Sequence, residues 1–181
     1  MKCVLICISI LLIANLAKAQ NKFFTKSGKI AFYSKAKLED IEAVNKTAVA
    51  ILDIQTGEIQ FSVPMKGFEF RKALMQEHFN ENYIESDKYP KSDFKGSIIN
   101  SSEIDFKKNG TYTAKARGKL TIHGVTNDIE AEGKIIVSDA KLTLNTVFNV
   151  SVQEYKIKND KINNISDNIK VTVDCLLDPL P

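Results

Sequence analysis

The stretch over residues 111–152 constrains the fold of this 181-residue chain more than any other. Apolar and polar residues alternate there through three consecutive segments, which places their side chains on opposite faces of extended strands. The apolar face carries unusually small residues, namely Ala114, Ala116, Gly118, Ala131 and Gly133. Such a face cannot fill a thick core by itself, so we expect neighbouring side chains or a ligand to occupy the space beside it.

The rest of the chain predicts further strands joined by short turns. Residues 47–54 and an alternating segment from Glu58 are expected to form a hairpin, because the Gln-Thr-Gly sequence at 55–57 suits a turn. A second tight turn is expected at the Asn-Gly pair 109–110, because that pair between alternating runs favours a hairpin. Residues 169–177 predict the last strand.

One segment breaks this rhythm. Over residues 71–82 the apolar side chains recur at intervals of three and four, which predicts one short amphipathic helix. Its apolar face, with Met75 and Phe79, must be buried against something. Two roles stay open for the helix: a plug over one end of the sheet, or a gate in contact with a ligand.

The number of predicted strands decides the fold class. We expect an all-β protein with eight or nine antiparallel strands, because no strand–helix–strand alternation is present. Such a sheet must close or stack to protect its edges. A barrel of about eight strands and a two-sheet sandwich are both compatible with the periodicity. The small residues on the inner face favour the barrel.

The first nineteen residues predict a cleavable secretory signal. Lys2 precedes an apolar run over residues 4–13, and Ala17 and Ala19 are the small residues expected before a cleavage site. The apolar run is shorter than the ~20 residues that a membrane-spanning helix needs. We therefore expect a periplasmic or secreted protein, cleaved after Ala19, in which residues 20–181 form one domain without a transmembrane segment.

Charge and cysteine content exclude some classes of partner and cross-link. The net charge of the whole chain is +3, and Lys2 and Lys18 leave with the signal, so nucleic acid is not an expected partner. Cys175 is the only cysteine beyond the signal, which rules out an internal disulfide in the processed chain. Because Cys175 continues an apolar face, we expect a small buried hydrophobic residue there and not a reactive thiol.

Candidates for catalysis and metal binding are few. The two histidines, His78 and His123, lack the spacing of a metal site, so neither a metal nor any other cofactor is expected. No Gly-x-Ser-x-Gly motif, cysteine–histidine pairing or glycine-rich phosphate loop is present, and we predict that the protein is not an enzyme. His123, near a strand end, is expected to hydrogen-bond to a turn, whereas His78 on the helix is placed to meet a ligand head group.

Three motifs carry a resemblance to a known family. They are LMQEHFNENY at residues 74–83, Tyr89-Pro90 followed by FKG at 94–96, and GKLTIHGVT at 118–126. In this order the chain resembles the YceI-like family of exported bacterial proteins. The resemblance implies an extended antiparallel, up-and-down, lipocalin-like barrel. It also implies a long apolar channel that binds a polyisoprenoid, a quinone-like molecule or another amphipathic lipid without a catalytic step.

Within such a barrel, we predict that the channel is lined by twelve residues. Each of them either points inward according to the alternation of its strand or lies on the helix. They are Phe61, Val63, Met65, Met75, Phe79, Phe94, Ile98, Leu120, Ile122, Leu144, Phe148 and Val173. For each of them, simple filling of the barrel is the alternative. Two other functions stay open: an enzyme acting on such a lipid, and a ligand-free stress or interaction module with a closed core. A homodimer is also left open.

Overall fold

The structure is a computed structural model that describes residues 21–36, 39–157 and 166–180. The described chain contains nine β-strands. They are β1 (Lys22–Ser34), β2 (Ile41–Asp53), β3 (Glu58–Pro64), β4 (Phe68–Phe70), β5 (Lys91–Ile98), β6 (Gly110–Ile122), β7 (Val125–Ser138), β8 (Lys141–Ser151) and β9 (Asn168–Pro179). The predicted signal lies outside the described residues, as does most of the polar segment before β9.

Eight of these strands form a closed antiparallel barrel. The sheet runs in the order β1, β9, β8, β7, β6, β5, β3, β2, and β2 pairs with β1 to close it. The ninth strand, β4, pairs only with the first part of β2. The predicted all-β, up-and-down barrel of about eight strands is therefore confirmed, and the sandwich is excluded. Each of the eight strands therefore pairs with a neighbour on both sides over at least part of its length.

The predicted helix is present as a short composite element. α1 (Ala73–His78) continues into a single π-helical turn over Phe79–Tyr83. The Phe79 ring lies 5.5 Å from Phe32, 5.6 Å from Phe68 and 5.0 Å from Phe70, measured between ring centroids. These aromatic contacts attach the helix to β1 and β4. In the part of the chain that the structure describes, no helix is long and apolar enough to cross a bilayer.

One predicted hairpin is confirmed and the other is wrong. β2 and β3 are joined at residues 54–57, where Gly57 has a positive φ of 76°. No hairpin forms at the Asn-Gly pair 109–110, because the chain after β5 makes a 3-10 turn instead of a strand. The Asn100 side chain takes a strand's place beside β6: it accepts from Lys115 N at 2.8 Å and donates to Thr113 O at 3.1 Å.

The two ends of the barrel differ in how they are covered. At the closed end lie the β2–β3 turn, residues 99–109 and the β7–β8 turn, and the buried Ile104 covers the core. Both ends of the described chain are also there, since Leu180 N donates to Lys22 O at 2.7 Å. At the open end lie α1, residues 84–90, the β6–β7 turn and residues 152–157.

The core of the closed end is fully packed. Leu52, Leu142, Leu177 and Cys175 have no exposed surface. Burial raises the pKa of the Cys175 thiol to about 11. The expectation that Cys175 is a buried hydrophobic residue is confirmed.

A pair of glycines holds two strands of the wall close together. Gly96 of β5 and Gly118 of β6 are direct register partners. A Cβ atom on Gly118 would lie 2.5 Å from the Gly96 Cα and 2.4 Å from the Lys95 carbonyl oxygen. The interpretation that Gly118 makes room beside the inner face is therefore wrong: it permits a close backbone approach.

Candidate ligand-binding site

A cavity of about 470 Å³ lies inside the barrel, toward the open end. This volume is within the range of about 300–1,000 Å³ that is usual for small-molecule sites. All twelve residues predicted from the sequence to line a channel do line this cavity. They are Phe61, Val63, Met65, Met75, Phe79, Phe94, Ile98, Leu120, Ile122, Leu144, Phe148 and Val173. Their contact with a ligand stays a prediction.

The cavity exists because small residues face each other across β6 and β7. Ala114 pairs with Gly133 and Ala116 pairs with Ala131, and all four line the cavity. Nearer the closed end, β7 instead carries the large buried residue Ile135, paired with Tyr112. Small side chains placed opposite one another leave a volume that the far wall does not fill.

Sequence reasoning missed several parts of the lining, of which an aromatic cluster is the most distinctive. Phe32, Phe68 and Phe70 line the cavity and form an aromatic cluster with Phe79. Phe32 shares its face of β1 with Ile30, so the alternation of β1 indicated its direction. Phe68 and Phe70 belong to a strand of three residues, which is too short for periodicity to place.

Polar groups of the lining gather near the open end. Ser34 is 1% exposed, and its Oγ has no hydrogen-bond partner among the described residues. Glu39, His78 and Tyr83 line the same cavity. Glu39 also forms an ion pair with Lys72. A buried hydroxyl without a partner is costly. The meeting of His78 with a head group stays a prediction.

His123 lies outside the cavity, in the two-residue turn between β6 and β7. Its backbone has a positive φ of 51°, and Gly124 follows with 74°. Its Nε2 is 2.7 Å from Glu85 Oε2, and its Nδ1 is 3.3 Å from the Tyr155 carbonyl oxygen. Carboxylate and carbonyl oxygens both accept, so the doubly protonated ring satisfies both contacts. The predicted hydrogen bonding of His123 near a strand end is confirmed.

The sequence matches the YceI-like domain over residues 13–177, which is most of the chain. The chain belongs to the YceI-like family. No protein of curated function matches it.

Solved structures share the fold of this YceI-like protein. One is a polyisoprenoid-binding domain from Saccharophagus degradans implicated in plant cell wall breakdown, with a TM-score of 0.77 at 12% identity, over 88% of this chain and 99% of that one. BcnA from Burkholderia cenocepacia has a TM-score of 0.68 at 16% identity, over 83% and 95%. The YceI protein of Campylobacter jejuni has a TM-score of 0.52 at 17% identity, over 78% of this chain and 82% of that one. At these identities the likeness shows the fold.

Within residues 21–36, 39–157 and 166–180, no three His, Cys, Asp or Glu side chains lie together in a way that could hold a metal ion.

Proposed function

We propose that this YceI-like protein is an exported binding protein that holds an apolar or amphipathic lipid, either a polyisoprenoid or a quinone-like molecule, in its barrel. The observation that carries the proposal is the cavity of about 470 Å³ with a largely apolar lining. The similarity in fold to a polyisoprenoid-binding domain supports the same class of ligand.

Burial supplies the affinity in this proposal. Each Å² of apolar ligand surface removed from water contributes about 25 cal/mol, so a flexible chain needs few directional contacts. Met65 and Met75 are adaptable wall residues for such a chain. Selectivity then depends on the width and length of the cavity.

The polar end of the cavity gives the ligand a direction. Glu39 and His78 would meet the head group, with the apolar chain pointing toward the closed end. Lys134 is the single lysine among the described lining residues, and no arginine is among them. A diphosphate prefers several cationic donors, so this lining favours an uncharged head group such as an alcohol or a quinone carbonyl.

The two other functions considered have less support. A closed-core module requires a filled interior, and the barrel contains a cavity. An enzyme acting on a lipid requires an acid or base directed at the reacting atoms. Glu39, Asp93 and His78 line the cavity, but both carboxylates form ion pairs with lysines. His123, the histidine with a carboxylate partner, does not line it. We therefore propose a binding role without a catalytic step.

Mass spectrometry of organic extracts tests the proposal. Protein purified from its native host is expected to carry one lipid in a stoichiometric amount, and N-terminal sequencing of the same sample is expected to begin at Gln20. Ala116→Phe places a ring in the cavity and should remove most of the lipid. Thr113→Phe, on the outer face of the same strand, is the matched control and should retain it. The absence of lipid from wild-type protein, both as purified and after incubation with isoprenoid alcohols and quinones, would overturn the proposal.

A further inference from the structure

The barrel wall between β7 and β8 is only partly closed. These strands pair over residues 133–138 of β7 and 141–146 of β8 and no further. The neighbouring pairs, β6 with β7 and β8 with β9, run along nearly the whole length of their strands. Residues 125–132 of β7 and 147–151 of β8 therefore face each other without a hydrogen-bond ladder. We name the gap between these two segments the seam.

The cavity reaches the seam. Ile129 and Ala131 line the cavity from β7, and Phe148 and Val150 line it from β8. Lys134 and Asn145 also line it at the level where the ladder ends, although the alternation of their strands turns them to the outside. At this level the cavity therefore extends between β7 and β8, toward the outer face of the barrel.

The lower limit of the seam is set by close contact between the strands. Thr146 Oγ1 donates to the Glu132 carbonyl oxygen at 2.7 Å, which satisfies an acceptor that has no ladder partner across the seam. A Cβ atom on Gly133 would lie only 2.3 Å from the Asn145 carbonyl oxygen. The strands touch at this point, and their ladder ends there.

The upper limit of the seam is a strap formed by residues 152–157. Tyr155 is 2% exposed and packs with Leu120 and Val150, and burial raises the pKa of its hydroxyl. Two hydrogen bonds join the strap to the β6–β7 hairpin: Asn127 Nδ2 donates to Glu154 O at 3.1 Å, and His123 Nδ1 faces Tyr155 O at 3.3 Å. His123 therefore links the strap to the hairpin and, through Glu85, to residues 84–90.

The chemistry of the seam suits an apolar chain better than an extended peptide. On the outer face of β7, Asp128 and Glu130 are exposed and pair with Lys119 and Arg117 of β6 at 3.0 and 3.2 Å. Charged residues along a strand edge disfavour pairing with another chain. Within residues 125–132 and 147–151, by contrast, the side chains that line the cavity are aliphatic or aromatic.

The helix at the open end is attached by other means than the strap: by ring contacts and ion pairs, whereas the strap is held by the buried Tyr155 and by hydrogen bonds to the hairpin. Besides the three ring contacts of Phe79, the Phe70 backbone N–H donates to Gln76 Oε1 at 3.3 Å. Lys72 and Arg71 form ion pairs with the β1–β2 connection and the start of β2. Passage beneath the helix would have to separate the aromatic cluster.

We propose that the seam is the portal through which an apolar chain passes sideways into the cavity, and that the strap controls this passage. The inference rests on the proposed function. A change at a portal lowers or raises the free-energy barrier equally for entry and for release of the ligand. It leaves the free energies of the free and the bound state unchanged. Changes at the strap should therefore alter the association and dissociation rate constants by the same factor and leave Kd unchanged.

Cross-linking provides the first test, with all-trans-retinol, a fluorescent isoprenoid alcohol, as the probe. In a Cys3→Ser, Cys7→Ser background, Asn127→Cys with Glu154→Cys allows a bismaleimide to tie the strap to β7. Arg71→Cys with Glu42→Cys ties the helix to β2 in the matched control. We expect the strap tether to slow both rate constants by about tenfold or more and the helix tether to change them by less than about twofold.

Loosening the strap provides the second test, which requires no cross-link. His123→Asn removes the ring contacts to Tyr155 and Glu85, while asparagine tolerates the positive φ. Both rate constants should rise at constant Kd, whereas Arg71→Gln at the helix should leave them unchanged. Slowing by the helix tether alone, or no rate change in either strap variant, overturns the portal. The absence of retinol binding in every variant, wild type included, overturns the proposed function and the portal with it.

Discussion

The two ends of the barrel are built from the same strands but differ in what lies between them. At the closed end, large side chains such as Leu142 and Leu177 meet in register and have no exposed surface. Toward the open end, Ala116 meets Ala131 across β6 and β7, and a cavity remains. One alternating pattern therefore yields a packed core or a cavity, depending on the size of the residues that the register places opposite each other.

The two ends also differ in how a gap between strands is filled. Where β6 extends beyond β5 at the closed end, the Asn100 side chain bonds to two backbone groups of β6, and Ile104 is buried over the core. Where β7 and β8 part near the open end, their ladder stops, and the strap is joined to the β6–β7 hairpin by two hydrogen bonds. Under the proposed function, one end serves stability and the other serves access.

The largest effect is expected from leucine truncation at the two ends. Leu142→Ala at the closed end should lower the free energy of unfolding by about 4 kcal/mol, because it leaves a new cavity in a packed core. Leu120→Ala beside the existing cavity should cost about 2 kcal/mol, since part of its surface already faces empty space. Urea denaturation measures both. Equal losses would show that the two ends are packed alike.

A smaller loss of stability is expected where the glycine pair holds β5 and β6 close together. Gly118→Ala should destabilise the fold by about 1–3 kcal/mol, because the added Cβ collides with the backbone of β5. Gly110→Ala is the matched control in the same strand: the atoms nearest to its Cβ would belong to the Tyr112 side chain, at 3.3 Å, and it should cost less than about 1 kcal/mol. Thermal denaturation distinguishes the two variants, and a harmless Gly118→Ala would contradict the role of the glycine pair.

At the open end we expect an effect on ligand retention more than on folding. Met75→Ala should reduce the lipid that is retained through purification while costing less than about 1 kcal/mol of stability, because Met75 is only partly buried. Leu74→Ala, on the same helix but 61% exposed, should change neither quantity. Phe79→Ala should reduce both, because Phe79 touches three other rings. Lipid content at equal protein concentration is the measurement.

The smallest effect concerns the thiol of the closed end and is confined to high pH. With a pKa of about 11 in the fold, against 9.0 ordinarily, Cys175 stays protonated when the unfolded thiol ionises. The unfolded state then binds fewer protons, so this contribution to stability is present below about pH 9 and is lost as the pH rises toward 11. Between pH 8 and pH 10, the midpoint of urea denaturation should fall less in Cys175→Ala than in the wild-type protein.

Much of the fold could be predicted from the sequence because it depends on local periodicity. The alternation around Ala114 and Ala131, the turn at Gly57 and the helix near Met75 are local signals, and the structure has the corresponding elements. The Asn-Gly pair 109–110 misled the prediction, because the tertiary contacts of Asn100 and Ile104 decided the path of that segment.

The residues that line the cavity could largely be predicted from the sequence, whereas the boundaries of the cavity could not. Parity indicated that Phe61 and Phe148 point inward, and they do line the cavity. The end of the β7–β8 ladder and the position of the strap depend on contacts between residues far apart in the chain, such as His123 and Tyr155. The role of Gly118 likewise depended on its register partner, Gly96.

The position of the two ends of the described chain has a practical consequence for immobilisation. Asn21 and Leu180 both lie at the closed end, where Ile54 N donates to Asn21 O at 2.7 Å. A surface, bead or fused domain attached at either point would hold the barrel with its cavity facing outward. A sensor chip prepared in this way would present every molecule to ligand in the same orientation.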